Sequence, residues 1–456
     1  MRAKLATVAI TLTTTLAGNA VAAPGDNVLL IIADDVGAEK ITAFADDIGH
    51  DNPAITPNID YLATQGVRFT QTWSNPTCSP TRAGINTGRH AIRHGIGAAI
   101  TGSSDPFLKP SEETLAETLA PAVPSALLGK WHLGTDASQG GADAPRQAGG
   151  YARHAGGLTG ALPSYTRWPK ATDGVMSIER TYATFDTANE TVDWINGQSG
   201  QWFAAVAFNA GHTPFHVPPG YEGELSGVNC SNPNDDILCY RAMVETLDTE
   251  VAGILDAIQA RGELDDTTII FVGDNGTANQ VVEAPYQSGK AKGTVYEGGV
   301  HVPLIIAADW IDEPGRAVAT PVHIVDIFAT VLEVAGQGAA LDALAARTTL
   351  DSVSLVPHLL DADAAPVRDV VYTEGFGDGD PSNANAAMTD GHFKLIRTYT
   401  DGLVTSEELY NLRTAAANGD PEASDLLARP RLTVAAAAAY DNLSARMDAL
   451  RASAGY

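Results

Sequence analysis

Basic residues are scarce in this sequence: 28 Lys and Arg stand against 55 Asp and Glu in 456 residues, a formal net charge of −27. So acidic a surface repels nucleic acid and anionic membranes, and neither is expected as a partner. It repels anionic small molecules as well, so any anion site must concentrate positive charge locally. Solubility in salty surroundings accounts for the acidity without a specific cationic partner. Cysteine is rarer still, at three residues, which excludes a disulfide-dense scaffold. Long apolar runs are also missing. Leu5–Leu16 is weakly apolar and too short for a bilayer, which needs ~20 such residues, and no later segment does better, so no membrane insertion is expected. With 44% hydrophobic and 18% charged residues, the composition excludes disorder and fibrous repeats. This length implies two or three domains, or one large α/β domain with an appendage.

What is present begins with residues 1–22, which read as a secretory signal. Arg2 and Lys4 precede the apolar stretch, and Ala20-Val21-Ala22 supplies small residues for cleavage. Removing those two basic residues takes the net charge from −27 to −29. A periplasmic or secreted location follows. Cys230 and Cys239 lie close together in a polar loop and can form a local disulfide, which leaves Cys78 unpaired. A spare thiol in an oxidising compartment is a liability unless it is buried or chemically used.

Four short apolar runs end in residues suited to chemistry. Val28–Ile32 leads to Asp34 and Asp35, Ser125–Leu128 to Lys130 and His132, Phe203–Phe208 to His212, and Thr268–Val272 to Asp274 and Asn275. Such runs fit strands buried on both faces of a parallel sheet. Ligands of open α/β sheets bind beyond the carboxyl ends of the strands, so one rim can receive all these groups. Helical signals lie between the runs: Thr56-Pro57 opens a helix closed by Gly66, residues 242–260 carry apolar positions at helical spacing, and Val322–Val334 reads as amphipathic. Residues 135–163, rich in Gly and Ala, read as a long loop. Beyond residue 361, Phe393–Arg397 and Glu408–Tyr410 suggest a small antiparallel sheet, followed by an Ala-rich helix from about 432 to 452. The expected division is therefore a 24–360 catalytic domain and a 361–456 α+β subdomain.

Cys78-Ser79-Pro80-Thr81-Arg82 fits a Cys-x-Pro-x-Arg pattern, with Thr87-Gly88-Arg89 and His94-Gly95 behind it. Gly129–Gly134 (GKWHLG), Asp274-Asn275-Gly276 and Lys292–Gly299 (KGTVYEGG) follow in order, as do Asp390–Lys394 and Glu408–Leu412. Jointly these motifs resemble the sulfatase family across residues 26–412. The resemblance implies an alkaline-phosphatase-like fold, a large mixed and mostly parallel sheet sandwiched by helices. It implies hydrolysis of a sulfate ester, on a small molecule or carbohydrate, after a maturation enzyme has oxidised Cys78 to formylglycine. It also implies Ca²⁺, with Mg²⁺ the alternative.

The residue types agree. Asp34, Asp35, Asp274 and Asn275 offer oxygen donors alone, which suit hard divalent cations, with residue 78 as a further contact. Arg82, Lys130 and Lys292 supply the positive charge that the acidic surface demands. Histidine is the side chain whose ordinary pKa lies near neutrality, so His132 and His212 suit proton transfer. The resemblance gives His132 the task of deprotonating the sulfated intermediate, and the histidine of Gly211-His212-Thr213-Pro214 is placed to protonate the leaving alcohol. Asp274 would activate the attacking hydroxyl, and Lys292 would assist departure. His94, His154 and His216 are ordinary structural or surface histidines on this reading. Two departures from the family pattern, Thr81 for Ser or Ala and His301 for Arg, remove no catalytic group. Two other readings stay open: a phosphonate monoester or phosphodiester hydrolase built on the same machinery, and a non-catalytic anion-binding protein.

Overall fold

The structure is a computed structural model describing residues 25–135, 137–223, 225, 227–414 and 419–456. The expected signal segment 1–22 lies outside the described residues. The strands are β1 (Asn27–Ala33), β2 (Gly66–Phe69), β3 (Thr72–Trp73), β4 (Ser125–Gly129), β5 (Arg153–Gly156), β6 (Trp168–Thr172), β7 (Val175–Glu179), β8 (Phe203–Ala207), β9 (Thr267–Gly273), β10 (Leu304–Ala307), β11 (Arg316–Val318), β12 (Val322–His323), β13 (Val371–Phe376), β14 (Ala384–Thr389), β15 (Phe393–Thr400) and β16 (Leu403–Asn411). Ten of them form one sheet in the order β11-β2-β10-β9-β1-β8-β4-β5-β6-β7. Its centre, β9-β1-β8-β4-β5, is parallel throughout.

All seven residues of β1 are buried, because helices cover both faces of the sheet. Val28, Leu30 and Ile32 pack with Ala83, Ile85, Phe328 and Val331. Leu29 and Ile31 point the other way, against Ile59, Leu62, Met243, Leu247 and Val251. Truncating any of these large aliphatic side chains to Ala should cost about 2–5 kcal/mol. The parallel arrangement sends the carboxyl ends of β1, β4, β8 and β9 to the same edge, as their sequences implied.

Helices Pro57–Gln65 and Asp236–Arg261 form where the periodicity places them. The second starts earlier than the spacing suggested, so Cys239 sits in its first turn, bonded to Cys230 in the preceding loop. The expected helix over Val322–Val334 is only partly helical. Val322–His323 is strand β12, paired with β3, and the helix begins at Asp326, whose carboxylate accepts from the His323 N–H at 3.0 Å. Residues 135–163 are not one loop. They hold three short helical turns and β5, which pairs in parallel with β4. Only Gly fits at position 156, since an added Cβ would collide with the Gly129 carbonyl.

The C-terminal part is a four-stranded antiparallel sheet in sequence order, β13-β14-β15-β16. Helix Val434–Ser453 covers one face through Ala436, Ala439, Leu443 and Met447, and Thr433 caps it by accepting from the Ala436 N–H at 3.1 Å. No helix among the described residues is long and apolar enough to cross a membrane.

Candidate active site

β1 and β9 run parallel in register to Ala33 and Gly273, so the acidic residues that follow emerge side by side. The Asp274 N–H donates to the Ala33 carbonyl at 3.0 Å, and the Asp35 N–H to Asp274 Oδ1 at 3.1 Å. On the other side of β1, β8 and β4 end together at Ala207 and Gly129. Lys130 and His132 leave from β4 and His212 from the turn beyond β8. Cys78 opens helix Cys78–Thr87, all ten residues of which are buried. Arg82 follows one turn later, on the same helical face.

These segments meet in one place. Ligand atoms of Asp34, Cys78 and Asp274 lie within 4.8 Å of one another, as do those of Asp34, Asp35 and His212. Each carboxylate has a basic partner. Lys130 Nζ donates to Asp34 Oδ2 at 2.5 Å, and Lys292 Nζ bonds to Asp35 Oδ1. Arg82 donates to Asp274 Oδ2 from Nε at 3.0 Å and from Nη2 at 2.8 Å, and from Nη1 to the Lys130 carbonyl. Burial raises the Asp35 carboxyl, but Lys292, His212 and Lys130 outweigh it and hold it below the usual carboxylate range. Asp274 moves upward, driven by burial and by Asp34. Burial would lower Arg82 and Lys292, yet the neighbouring carboxylates push both up.

The cluster is thus charge-balanced, three cations against three carboxylates, and offers no surplus for an anion. It also leaves buried oxygens unused. Asp34 Oδ1 and Asn275 Oδ1 have no hydrogen-bond partner among the described residues. The Asn275 amide orientation is fixed because Nδ2 donates to Asp35 Oδ1 and to the Gly276 carbonyl, both at 2.9 Å. Orphaned buried oxygens beside carboxylates are what a hard divalent cation requires, so this donor set fits one.

The two histidines differ. His132 is 2% exposed with φ of 56°, and its Nε2 lies 2.8 Å from the Ile100 carbonyl. A carbonyl only accepts, so Nε2 carries the hydrogen and Nδ1, unpartnered, keeps a free lone pair. Burial and then Lys130 hold this imidazole well below its ordinary pKa. Gly160 lies over the ring, and a Cβ there would come within 2.5 Å of it. His212 is 15% exposed at the side chain, its Nε2 3.9 Å from Asp35 Oδ2 and its Nδ1 3.0 Å from the Thr213 carbonyl.

Several contributors carried no sequence signal. Ser79 Oγ donates to the His132 carbonyl at 2.9 Å and accepts from the Ile100 N–H at 3.0 Å, joining three segments. Tyr240 donates to the Asp35 carbonyl at 3.0 Å. Thr277, bonded to the buried Glu39, accepts from the Gly37 N–H and ties the two acidic turns together. The remaining histidines stand apart from the cluster. His154 is buried in β5 against the Leu127 carbonyl, His94 accepts from the Ile96 N–H, and His216 bonds Tyr182. Thr81 braces the turn before Cys78 through Asn75 and Thr77, and His301 bridges Tyr286 and the Thr70 carbonyl.

The large, mostly parallel sheet with helices on both faces and a small antiparallel sheet after it is an alkaline-phosphatase-like fold. The sulfatase family model matches residues 26–337, and the chain belongs to the sulfatase family, a sulfuric ester hydrolase. It is 30% identical to arylsulfatase A of Bos taurus over 430 residues, 87% of this chain and 79% of the relative. Its fold is similar to that of a sulfatase from Pseudoalteromonas sp., with a TM-score of 0.70 at 22% identity over 93% of this chain and 90% of that one. It is also similar to phosphonate monoester hydrolase of Agrobacterium radiobacter, with a TM-score of 0.68 at 22% identity over 94% and 96% of the two chains. The same fold is thus shared with proteins named as a sulfatase and as a phosphonate monoester hydrolase.

Proposed function

We propose that the enzyme cleaves sulfate monoesters of small molecules or carbohydrates with a formylglycine made from Cys78 by a maturation enzyme, after export to a periplasm or the cell exterior. Its cation is Ca²⁺, with Mg²⁺ the alternative. Asp34, Asp35, Asp274 and Asn275 would hold the ion, with residue 78 beside it. One observation carries this reading: a charge-balanced cluster with two orphaned oxygens surrounds Cys78. A divalent cation would satisfy those oxygens and turn a neutral cluster positive, as an anionic substrate on so acidic a protein requires.

When present, the cation would neutralise charge developing on sulfate oxygens. The hydrated aldehyde would supply an attacking hydroxyl and a second hydroxyl whose deprotonation expels sulfate; a plain Cys or Ser lacks the second and would stall as an ester. The chain's own residues do the rest. Arg82, Lys130 and Lys292 are held by their carboxylate partners and need no reorganisation as charge builds. Asp274 takes the proton of the attacking hydroxyl. His132 takes a proton at Nδ1, its lone pair kept available by the Nε2–H···O bond to Ile100. His212 delivers a proton from Nε2 to the leaving oxygen, beside Lys292, a transfer typically worth ~10²–10⁴-fold.

Mass spectrometry of the Cys78 peptide from active protein tests this reading. The expected result is the mass decrease for replacing CH2SH by CHO, and an unmodified thiol in active enzyme rejects it. Turnover of an aryl sulfate should also exceed that of the matching aryl phosphonate. The reverse order would assign the machinery to phosphonate hydrolysis.

A further inference from the structure

The residue that delivers a leaving-group proton must be held to within about half an ångström, and His212 stands at the partly exposed end of a turn whose other residues are buried. The turn Asn209–His212 is closed by the His212 N–H donating to the Asn209 carbonyl at 2.9 Å. Asp34 pins its middle, its N–H donating to the Ala210 carbonyl at 3.0 Å while its carbonyl accepts from the Gly211 N–H at 2.8 Å. The two ends converge on one further atom. Tyr165 Oη lies 2.5 Å from the Asn209 carbonyl and 2.7 Å from the His212 carbonyl. Both carbonyls can only accept, so the hydroxyl hydrogen is shared between them.

Tyr165 is itself well fixed. It is 3% exposed, its ring lies 4.5 Å from that of His216 and 5.8 Å from that of Tyr182, and its carbonyl accepts from the Ala183 N–H at 2.8 Å. Burial pushes its pKa well above the ordinary phenol value, so the hydroxyl stays a donor at any working pH. Its anchor lies in the segment between β5 and β6, far in sequence from both Asp34 and His212.

We infer that Tyr165 is a positioning residue for proton delivery, its hydroxyl clamping both ends of the 209–212 turn so that the His212 imidazole stays aimed at the departing oxygen. The inference rests on His212 being the group that protonates the leaving alcohol. It gives the 157–167 segment, otherwise a connection between strands, a direct part in deciding which alcohols can leave.

The test uses the full-length matured enzyme and a series of substituted phenyl sulfates running from 4-nitrophenyl to 4-methoxyphenyl. Nitrophenolate departs without a proton, while methoxyphenolate needs one. In Y165F, kcat should fall less than about twofold on the nitro ester and about tenfold or more on the methoxy ester, a part of the ~10²–10⁴-fold worth of a general acid. KM should hold. Y182F removes a hydroxyl from the same aromatic cluster and should leave the leaving-group dependence as in the parent. H212Q separates the two claims. If H212Q steepens the dependence and Y165F does not, the clamp is wrong and the role of His212 stands. If H212Q lowers all the esters equally, the role of His212 is wrong. A uniform loss in Y165F across the series, or failure of that variant to fold, overturns the inference by making the hydroxyl a requirement of the core.

Discussion

Two buried charge clusters in this molecule solve the same problem differently. At the strand ends, Asp34, Asp35 and Asp274 are matched one for one by Lys130, Lys292 and Arg82, yet two oxygens remain unused. Between the large sheet and the C-terminal sheet, Lys394 bridges two acids, 2.9 Å from Glu297 Oε1 and 2.8 Å from Glu422 Oε1, with His301 Nδ1 3.8 Å from the other Glu297 oxygen. There burial favours a proton on one of the two acids. Burial raises Glu422 to about 7, with Lys394 opposing and Glu297 reinforcing the rise. Its other oxygen accepts from the Glu297 N–H at 2.7 Å. The difference teaches what each cluster is for. A structural cluster can neutralise itself with a proton, while a cluster that must attract an anion has to keep its carboxylates charged for a cation.

The largest expected effect falls on one cluster only. Cys78→Ala should lower sulfatase activity by about 10⁴-fold or more, with the urea midpoint nearly unchanged, because it removes the proposed precursor of the nucleophile and little volume. The opposite pattern is expected from Lys394→Met. Leaving Glu297 and Glu422 buried without their cation should cost about 3–5 kcal/mol in urea unfolding, while kcat of the folded fraction stays near that of the parent. If both variants lost activity and stability together, the two clusters would not be separable. Chelation by EDTA should abolish activity and lower Tm, since an ion at a hundred times its Kd contributes about 2.7 kcal/mol; readdition of Ca²⁺ should restore both. The smallest effect is one of slope. A glutamate raised to about 7 in the fold contributes stability that is fully present below its ordinary value of 4.5 and is lost as pH rises through about 7. Stability should therefore fall between these values by up to about 1.4 kcal/mol per pH unit for this one proton. Glu422→Gln should flatten that slope, as measured by denaturant unfolding at several pH values. Glu374, raised by burial to about 7, has the same sign and should leave a residual slope in the variant.

Much of the site was legible because each element announces itself locally. Val28–Ile32 and Thr268–Val272 are apolar runs that end in acids, and a parallel sheet leaves such runs no choice about which edge their ends share. The Cys78 helix and the Gly129–Gly134 turn were visible in their motifs. What stayed hidden depends on backbone. The Ile100 carbonyl that sets the tautomer of His132 could belong to any residue, and Ser79, Tyr165 and Tyr240 act on carbonyls whose positions only folding defines. β5, with the sequence Arg-His-Ala-Gly, has too little apolar character to read as a strand and exists because β4 offers it an edge. β14, with the sequence Ala-Asn-Ala-Ala-Met-Thr, is likewise made by pairing with its two neighbours rather than by propensity.

The sequence by itself determined the inventory: which acids, bases and cysteine stand at strand and helix ends, and that the central strands are buried on both faces. Those features follow from chemistry and periodicity within a few residues. The tertiary structure decided the charge balance, the two unused oxygens, the tautomer of His132 and the clamp on the His212 turn. Each of these depends on distances between atoms far apart in the chain, and no local pattern of residues encodes such a distance.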